Sequence, residues 1–300
     1  MIELNNGVAV QLEDADITTL DDANDIKDTL HQRLIVVLKH QNKLPWHFVN
    51  FIEKIGTVAN YRQMIYTKEG EFYLGKTPPN TDKWDKDKEL YPIQRTTGNK
   101  NKKGIATGIF SSGILDWHAN LNGLDRADGV ALQGWCGCVD TSTSFLNTNM
   151  AYNDLSEEFK QEIEGVHCEY EYAPEVWAKG LPDTQLKMMK KESEPYKMWL
   201  VQQNLKGVKG IYFYTNNKCK IVTEDHTLFD RLHQHMFQDK YVYQHWWEEG
   251  DIVLMDQLLT LHKRDQNDPA ILAERVLHRV TFRVSNYDNF LVDNNKIGVT

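Results

Sequence analysis

At 300 residues, 41% hydrophobic and 26% charged with 13 Tyr and 8 Trp, the chain has the composition of a folded protein rich in aromatics, long enough to bury roughly three quarters of its unfolded surface. Its formal charge of −9 argues against a protein built to coat phosphate backbones, because that affinity needs many Lys and Arg acting together, and nucleic acid is not expected as a partner. No apolar run approaches the ~20 residues of a membrane helix, and MIELNNGVAVQLEDAD lacks the basic start and apolar centre of a signal peptide, so a cytoplasmic location away from membranes is the expectation.

Taken in chain order, Asp25 to Leu34 has helical spacing, LIVVLK at 34–39 reads as a buried strand, and LPWHFVNFIEKIG at 44–56 as an amphipathic helix stopped by Gly56. Residues 77–108 are polar and punctuated by Pro78, Pro79, Gly98 and Gly104, which predicts a long loop, either a lid or a solvated excursion. GVALQGWC at 129–136 is apolar and rich in β-formers, and TSTSFLNTNMAYNDL after it looks helical. LSEEFKQEIEG at 155–165 predicts a second helix, with Ser156 as its N-cap and Gly165 as its stop. A further polar segment covers 180–197.

The last third alternates strand and turn: GIYFYT at 210–215, CKIV at 219–222, a helix over 226–237, YVYQHWW at 241–247, DIVLMD at 251–256 and RVLHRVTFRV at 275–284. Many short strands, few helices, no long-period repeat and no glycine-rich nucleotide loop predict an α+β, mainly β chain. A double-stranded β-helix core (jelly-roll, cupin-like) with flanking helices suits the count. The expectation is one domain over 1–300, with loop insertions at about 77–108 and 180–197. Cys136, Cys138, Cys168 and Cys219 make neither a disulfide framework nor a zinc spacing, so free thiols are expected.

Three pieces carry chemistry: DWHAN at 116–120, LTLHKR at 259–264 and ERVLHRVTFR at 274–283. A mononuclear Fe(II) oxygenase site takes two imidazoles and usually one carboxylate on one face of the metal, leaving the other face open. His118 stands at a strand-to-loop junction and His262 follows a Gly250-Asp251 turn and an apolar strand, far away in sequence; His245 and His278 compete with it. In RVLHRVTFRV the alternation puts Arg275, Arg279 and Arg283 on one side. That side is either simply wet, or lines a barrel interior where a guanidinium grips a carboxylate as a two-pronged fork.

On these residues the chain resembles the taurine dioxygenase (TauD/TfdA) family of Fe(II)/2-oxoglutarate-dependent oxygenases, within the clavaminate synthase-like group. The Trp117-His118 motif, Thr141 in GCVDTSTSF, the Gly250-Asp251 turn leading to His262, and Arg275 with Arg279 after it all match, as does LIVVLKHQNKLPWHFVNFIEKIG, so the likeness runs from about residue 30 to 285. The resemblance implies iron held by His118 and His262 and 2-oxoglutarate anchored by Arg275 and Thr141, with Arg279 nearby. It implies O2 and a small molecule as reactants and hydroxylation of an unactivated C–H bond, with succinate and CO2 as coproducts. The chain departs from the family at Asn120, where a carboxylate ligand is expected. Either Asn120 is a weak third ligand by its amide, or Asp116 or Asp125 supplies the anion. Chloride at the vacated position would make the protein a halogenase, and loss of the carboxylate with loss of turnover would leave a non-catalytic binding protein.

Overall fold

The Ile35–Leu38 strand alternates its side chains so cleanly that it sorts the whole core: Ile35 and Val37 join one apolar cluster, Val36 and Leu38 another. This is the period-two geometry of a strand covered on both faces. The computed structural model describes residues 1–20, 23–41, 44–58, 63–66, 72–75, 93–99, 115–120, 128–171, 173, 187, 196–215 and 218–284. Most of 77–108 and 180–197, together with Asp125, lie outside these.

The larger sheet orders Ile2–Leu4, Ala9–Leu12, Ile35–Leu38, Ile252–Asp256, Gly129–Cys136, Val276–Arg283 and Thr57–Val58, with Gln94–Thr97 also paired to Val276–Arg283. Its pairings are antiparallel except Ala9–Leu12 with Ile35–Leu38. On one face the helices Asn24–Arg33 and Pro45–Ile55 bury Ile26, Leu30, Phe48, Phe51, Ile52 and Ile55 against Val36, Leu254, Val280 and Phe282.

The other face meets a smaller antiparallel sheet ordered Val242–Trp246, Ser142–Asn147, Thr260–Arg264 and Leu115–His118. Between the sheets lie Val37, Val130, Leu132, Val253, Met255 and Leu277 from the larger, with Phe145 and Trp247 from the smaller side. Two facing, largely antiparallel sheets with helices on the outside are the expected double-stranded β-helix.

Sequence and structure disagree at two of the predicted elements after residue 128. TSTSFLNTNMAYNDL is not one helix: Ser142–Asn147 is a central strand, buried throughout and paired on both sides, and the helix begins only at Thr148, where the Asn147 side chain accepts from the Met150 N–H. Thr and Phe are β-formers, and the cap at Asn147 marks the switch. GIYFYT is shorter as a strand, ending at Ile211, and Tyr212, Phe213 and Tyr214 instead fill an aromatic cluster with Tyr170. Ser156 does cap Glu157–Ile163, accepting from the Phe159 N–H. All four cysteines are free thiols. Among the described residues no helix is long and apolar enough to cross a membrane.

Candidate metal and cosubstrate site

His118 ends its strand and His262 lies in mid-strand, and the register places them directly opposite one another. Their ring centroids are 4.2 Å apart, and both side chains are buried. Phe145, opposite His262 on the other side, stacks on its ring at 6.3 Å. All three point into the space between the sheets. The Gly250 turn, at φ +88, starts the strand that leads there. Asp251, buried at its end, is held by Lys39 at 2.7 Å and His245 at 3.1 Å. His245 is thereby tied to Asp251 and to Tyr243, and His278 stacks on Trp135 and meets Gln133 on the helix-facing side. Neither competitor for the second imidazole stands beside His118.

The hydrogen bonds fix the protonation of both rings. His118 Nδ1 lies 2.7 Å from the Asp116 carbonyl, which can only accept, so Nδ1 donates and Nε2 carries the lone pair. Arg279 can only donate, and its Nη1 lies 2.7 Å from the Asn120 side-chain oxygen. The Asn120 amide nitrogen therefore faces His262 Nε2, at 2.9 Å, and donates to it. His262 must then carry its proton on Nδ1. Burial pushes the His118 pKa down to about 4, and burial, with His118 and Arg279 alongside, holds His262 well below its usual range. Both imidazoles are thus neutral, as a metal site requires, with the His118 Nε2 unprotonated and the His262 Nε2 lone pair accepting the Asn120 amide N–H, which a metal bound there would displace.

Arg279 acts on both rings and Arg264 on His118, and Arg275 lies near Arg264. Arg279 is buried in the larger sheet and divides its fork between Asn120 and Gln94, with Nε 2.8 Å from the Gln94 oxygen. Arg275 is 3% exposed, and among the described residues its Nε and Nη1 have no hydrogen-bond partner. Burial, and then the nearby Arg264, lowers its pKa to about 10. A buried guanidinium with open prongs suits a carboxylate of cosubstrate size. Thr141 is fully buried in the adjoining loop, its hydroxyl donating to the Cys138 carbonyl at 2.6 Å. Gly137 of the same loop abuts the Glu274 carbonyl and Arg275 amide. The wet alternative for the arginine face is thereby corrected for Arg275 and Arg279: both are buried because their side of the strand faces the second sheet.

Sequence reasoning passed over Arg264 and Gln94. Arg264 is buried, and by parity, two residues after His262, it shares that residue's face. Gln94 lies inside the 77–108 stretch read as loop, yet Gln94–Thr97 is a strand paired to Val276–Arg279. Asp116 is exposed and accepts the Trp117 N–H, so it turns away from the histidines. Among the described residues, the one cluster of three metal-ligating side chains is His40, Glu248 and Asp251. Lys39 Nζ occupies it, 2.6 Å from Glu248 and 2.7 Å from Asp251.

The family described as "Taurine catabolism dioxygenase TauD, TfdA family" matches residues 3–281. The chain is 30% identical over 144 residues to an alpha-ketoglutarate-dependent 2,4-dichlorophenoxyacetate dioxygenase of Burkholderia sp. (strain RASC), covering 46% of this chain and 47% of that protein. It is 24% identical over 203 residues to a pentalenolactone F synthase of Streptomyces avermitilis, covering 60% and 64%. The chain spans about half the length of the dichlorophenoxyacetate dioxygenases it matches. Among solved structures it is similar to AAD-2 in complex with Mn(II) and N-oxalylglycine, with a TM-score of 0.71 at 19% identity over 95% of this chain and 98% of that one. A taurine dioxygenase from Burkholderia xenovorans gives a TM-score of 0.63 at 16% identity over 91% and 86%.

Proposed function

The chain belongs to the taurine catabolism dioxygenase TauD/TfdA family, and from that premise we propose that it is an Fe(II)- and 2-oxoglutarate-dependent dioxygenase that hydroxylates a C–H bond of a small molecule. The observation that carries this reading is the facing pair of neutral, buried imidazoles, His118 and His262, with the Arg279 guanidinium acting on both. The donor set fits the group: two nitrogen lone pairs suit ferrous iron, and a buried arginine suits the far carboxylate of the cosubstrate.

When bound, iron and 2-oxoglutarate supply the oxidant: 2-oxoglutarate loses CO2 and becomes succinate carrying one atom of dioxygen, while the other atom is inserted into the substrate C–H bond as hydroxyl. His118 and His262 would hold the metal without having to release a proton, since both are already neutral, with the Asn120 amide leaving His262 Nε2 as the metal arrives. Arg275 orients the cosubstrate through its fork, with Thr141 in the adjoining loop, and Arg264 adds positive potential at that end. Phe145, stacked on His262, and the apolar residues between the sheets would keep water from a metal held there.

The test is succinate formation from 2-oxoglutarate with Fe(II) and O2, read by mass spectrometry in the wild type and in His262→Ala. Succinate that depends on His262 supports the reading. A protein that binds Mn(II) and 2-oxoglutarate but releases no succinate with any candidate substrate is a binding protein. The halogenating alternative is favoured by one observation, that the Asn120 oxygen is engaged by Arg279. Chlorine in the product would mark it.

A further inference from the structure

We infer that Cys219 and Cys168 form a redox-active dithiol, a modification site at which a hydroperoxide oxidises Cys219 and Cys168 then closes a reversible disulfide with it.

Strand pairing brings the two sulfurs together. In the sheet ordered Tyr196–Trp199, His167–Glu171 and Lys218–Val222, Cys168 stands opposite Ile221 and Tyr170 opposite Cys219. Residues two apart on a strand share a face, so Cys168 and Cys219 are diagonal neighbours on one face of adjacent strands. Both belong to the same packed cluster, Cys168 fully buried within it and Cys219 half-buried at its margin. Their side chains are hydrogen-bonded to one another, the Cys168 thiol donating to the Cys219 sulfur. Among the described residues neither cysteine belongs to a cluster of three metal-ligating groups, so the pair is not a fragment of a metal centre.

The two thiols divide the roles between them. Lys218–Val222 is an edge strand, with His167–Glu171 its one neighbour among the described residues, so Cys219 is reachable from solution while Cys168 is not. The bond from Cys168 favours the Cys219 thiolate and draws its pKa below the usual thiol range, whereas that same bond and then burial hold Cys168 well above it. Burial also raises Cys136, and Cys138 to about 11. The thiolate is the reactive form, which puts Cys219 first. Its sulfur takes the terminal oxygen of the hydroperoxide, the O–O bond breaks, and the remainder leaves with a proton as alcohol, or as water from hydrogen peroxide. The Cys168 sulfur then attacks the sulfenic sulfur, the S–O bond breaks, and the hydroxyl leaves as water with the Cys168 proton. Two thiols lose two electrons and the peroxide gains them. A disulfide needs its Cβ atoms closer than a diagonal pair stands, so the edge strand has to slide inward. A bridge closed under that strain is readily reduced, which suits a reversible mark and not a permanent staple.

The experiment treats the full chain, freed of reductant and of stray iron, with one equivalent of hydrogen peroxide, blocks remaining thiols with N-ethylmaleimide, and maps the products by mass spectrometry. The expected product has lost two hydrogens and yields a linked Cys168–Cys219 peptide that dithiothreitol separates, with Cys219 consumed about tenfold or more faster than Cys136 or Cys138. In Cys168→Ser, dimedone should trap a sulfenic acid at Cys219, which goes on to sulfinic acid with more peroxide. In Cys219→Ser, Cys168 should stay a thiol. Sulfinic acid at Cys219 in the wild type without the linked peptide would overturn the resolving role of Cys168. A linkage between two chains through Cys219, or oxidation of Cys136 or Cys138 ahead of Cys219, would overturn the pair altogether. Both wild-type outcomes are read without any variant, so a poorly folding Cys168→Ser leaves the proposal open to refutation.

Discussion

Arg279 and Asn120, 159 positions apart, meet across the space between the two sheets in a 2.7 Å hydrogen bond, and Gln94 takes the remaining prongs of the same guanidinium. Lysine has one compact charge and cannot serve both partners. Arg279→Lys should therefore leave a buried amide oxygen unsatisfied and lower stability by about 1–3 kcal/mol, read as a shift in the denaturant midpoint at unchanged slope. A midpoint equal to wild type would mean that the bond is not made in solution.

His118→Ala and His262→Ala should each weaken Mn(II) binding by more than the 10–100-fold that loss of an outer partner costs. Calorimetric titration checks this. Unaltered affinity in both variants would move the metal elsewhere.

Arg275→Lys should weaken 2-oxoglutarate binding by ~1.5–3 kcal/mol, the worth of a charge-assisted hydrogen bond, with Mn(II) binding in the absence of cosubstrate unchanged. If cosubstrate affinity stays put while Arg264→Lys lowers it, the anchor is Arg264.

Gly129 abuts the Phe282 ring so closely that an added Cβ would fall inside it. Gly129→Ala should cost about 1–3 kcal/mol through forced repacking of the helix-facing core, lowering the melting temperature. A melting temperature at or above wild type would show that Phe282 has room to swing away.

His278 is fully buried, and burial first, then Arg95, presses its pKa from the ordinary 6.5 down to about 3. The folded protein thus binds this proton later than the unfolded chain does. Its stability contribution is intact above pH 6.5 and drains away as pH falls toward 3, by an amount on the order of 4 kcal/mol at the acid end. Denaturant melts across that range should show a shallower acid slope in His278→Gln than in wild type.

Much of the fold was legible because its periods are simple. The alternation in LIVVLK and RVLHRVTFRV reports strands covered on both sides, and it put Arg275 and Arg279 on one face before any contact was known. What alternation leaves open is which face meets the second sheet, so wet and interior alternatives stood level until burial separated them. TSTSFLNT misled because Ser, Thr and Asn are equally at home in strands, caps and turns; its pairing partners come from 242–246 and 260–264, which no local window contains. Arg264 was hidden in plain view, since its parity with His262 follows from spacing alone. Gln94 was lost for the opposite reason: a four-residue strand of polar residues has no apolar signature, and only its partner Val276–Arg279 defines it. The tautomers of the two histidines follow from a chain of donors and acceptors that sequence does not order.

The strand that bears His118 has, among the described residues, a neighbour on one side only, Thr260–Arg264, and their register slips between His262 and Arg264. Backbone pairing alone makes such an edge the first part of a sheet to open. A cation bridging His118 to His262 would act as a rivet through that seam, so the metal's occupancy and the closure of the smaller sheet are one equilibrium. Amide exchange at 115–118 would then serve as a gauge of metal loading, slowing as the seam is closed, and a chelator would loosen this edge while the larger sheet stays protected.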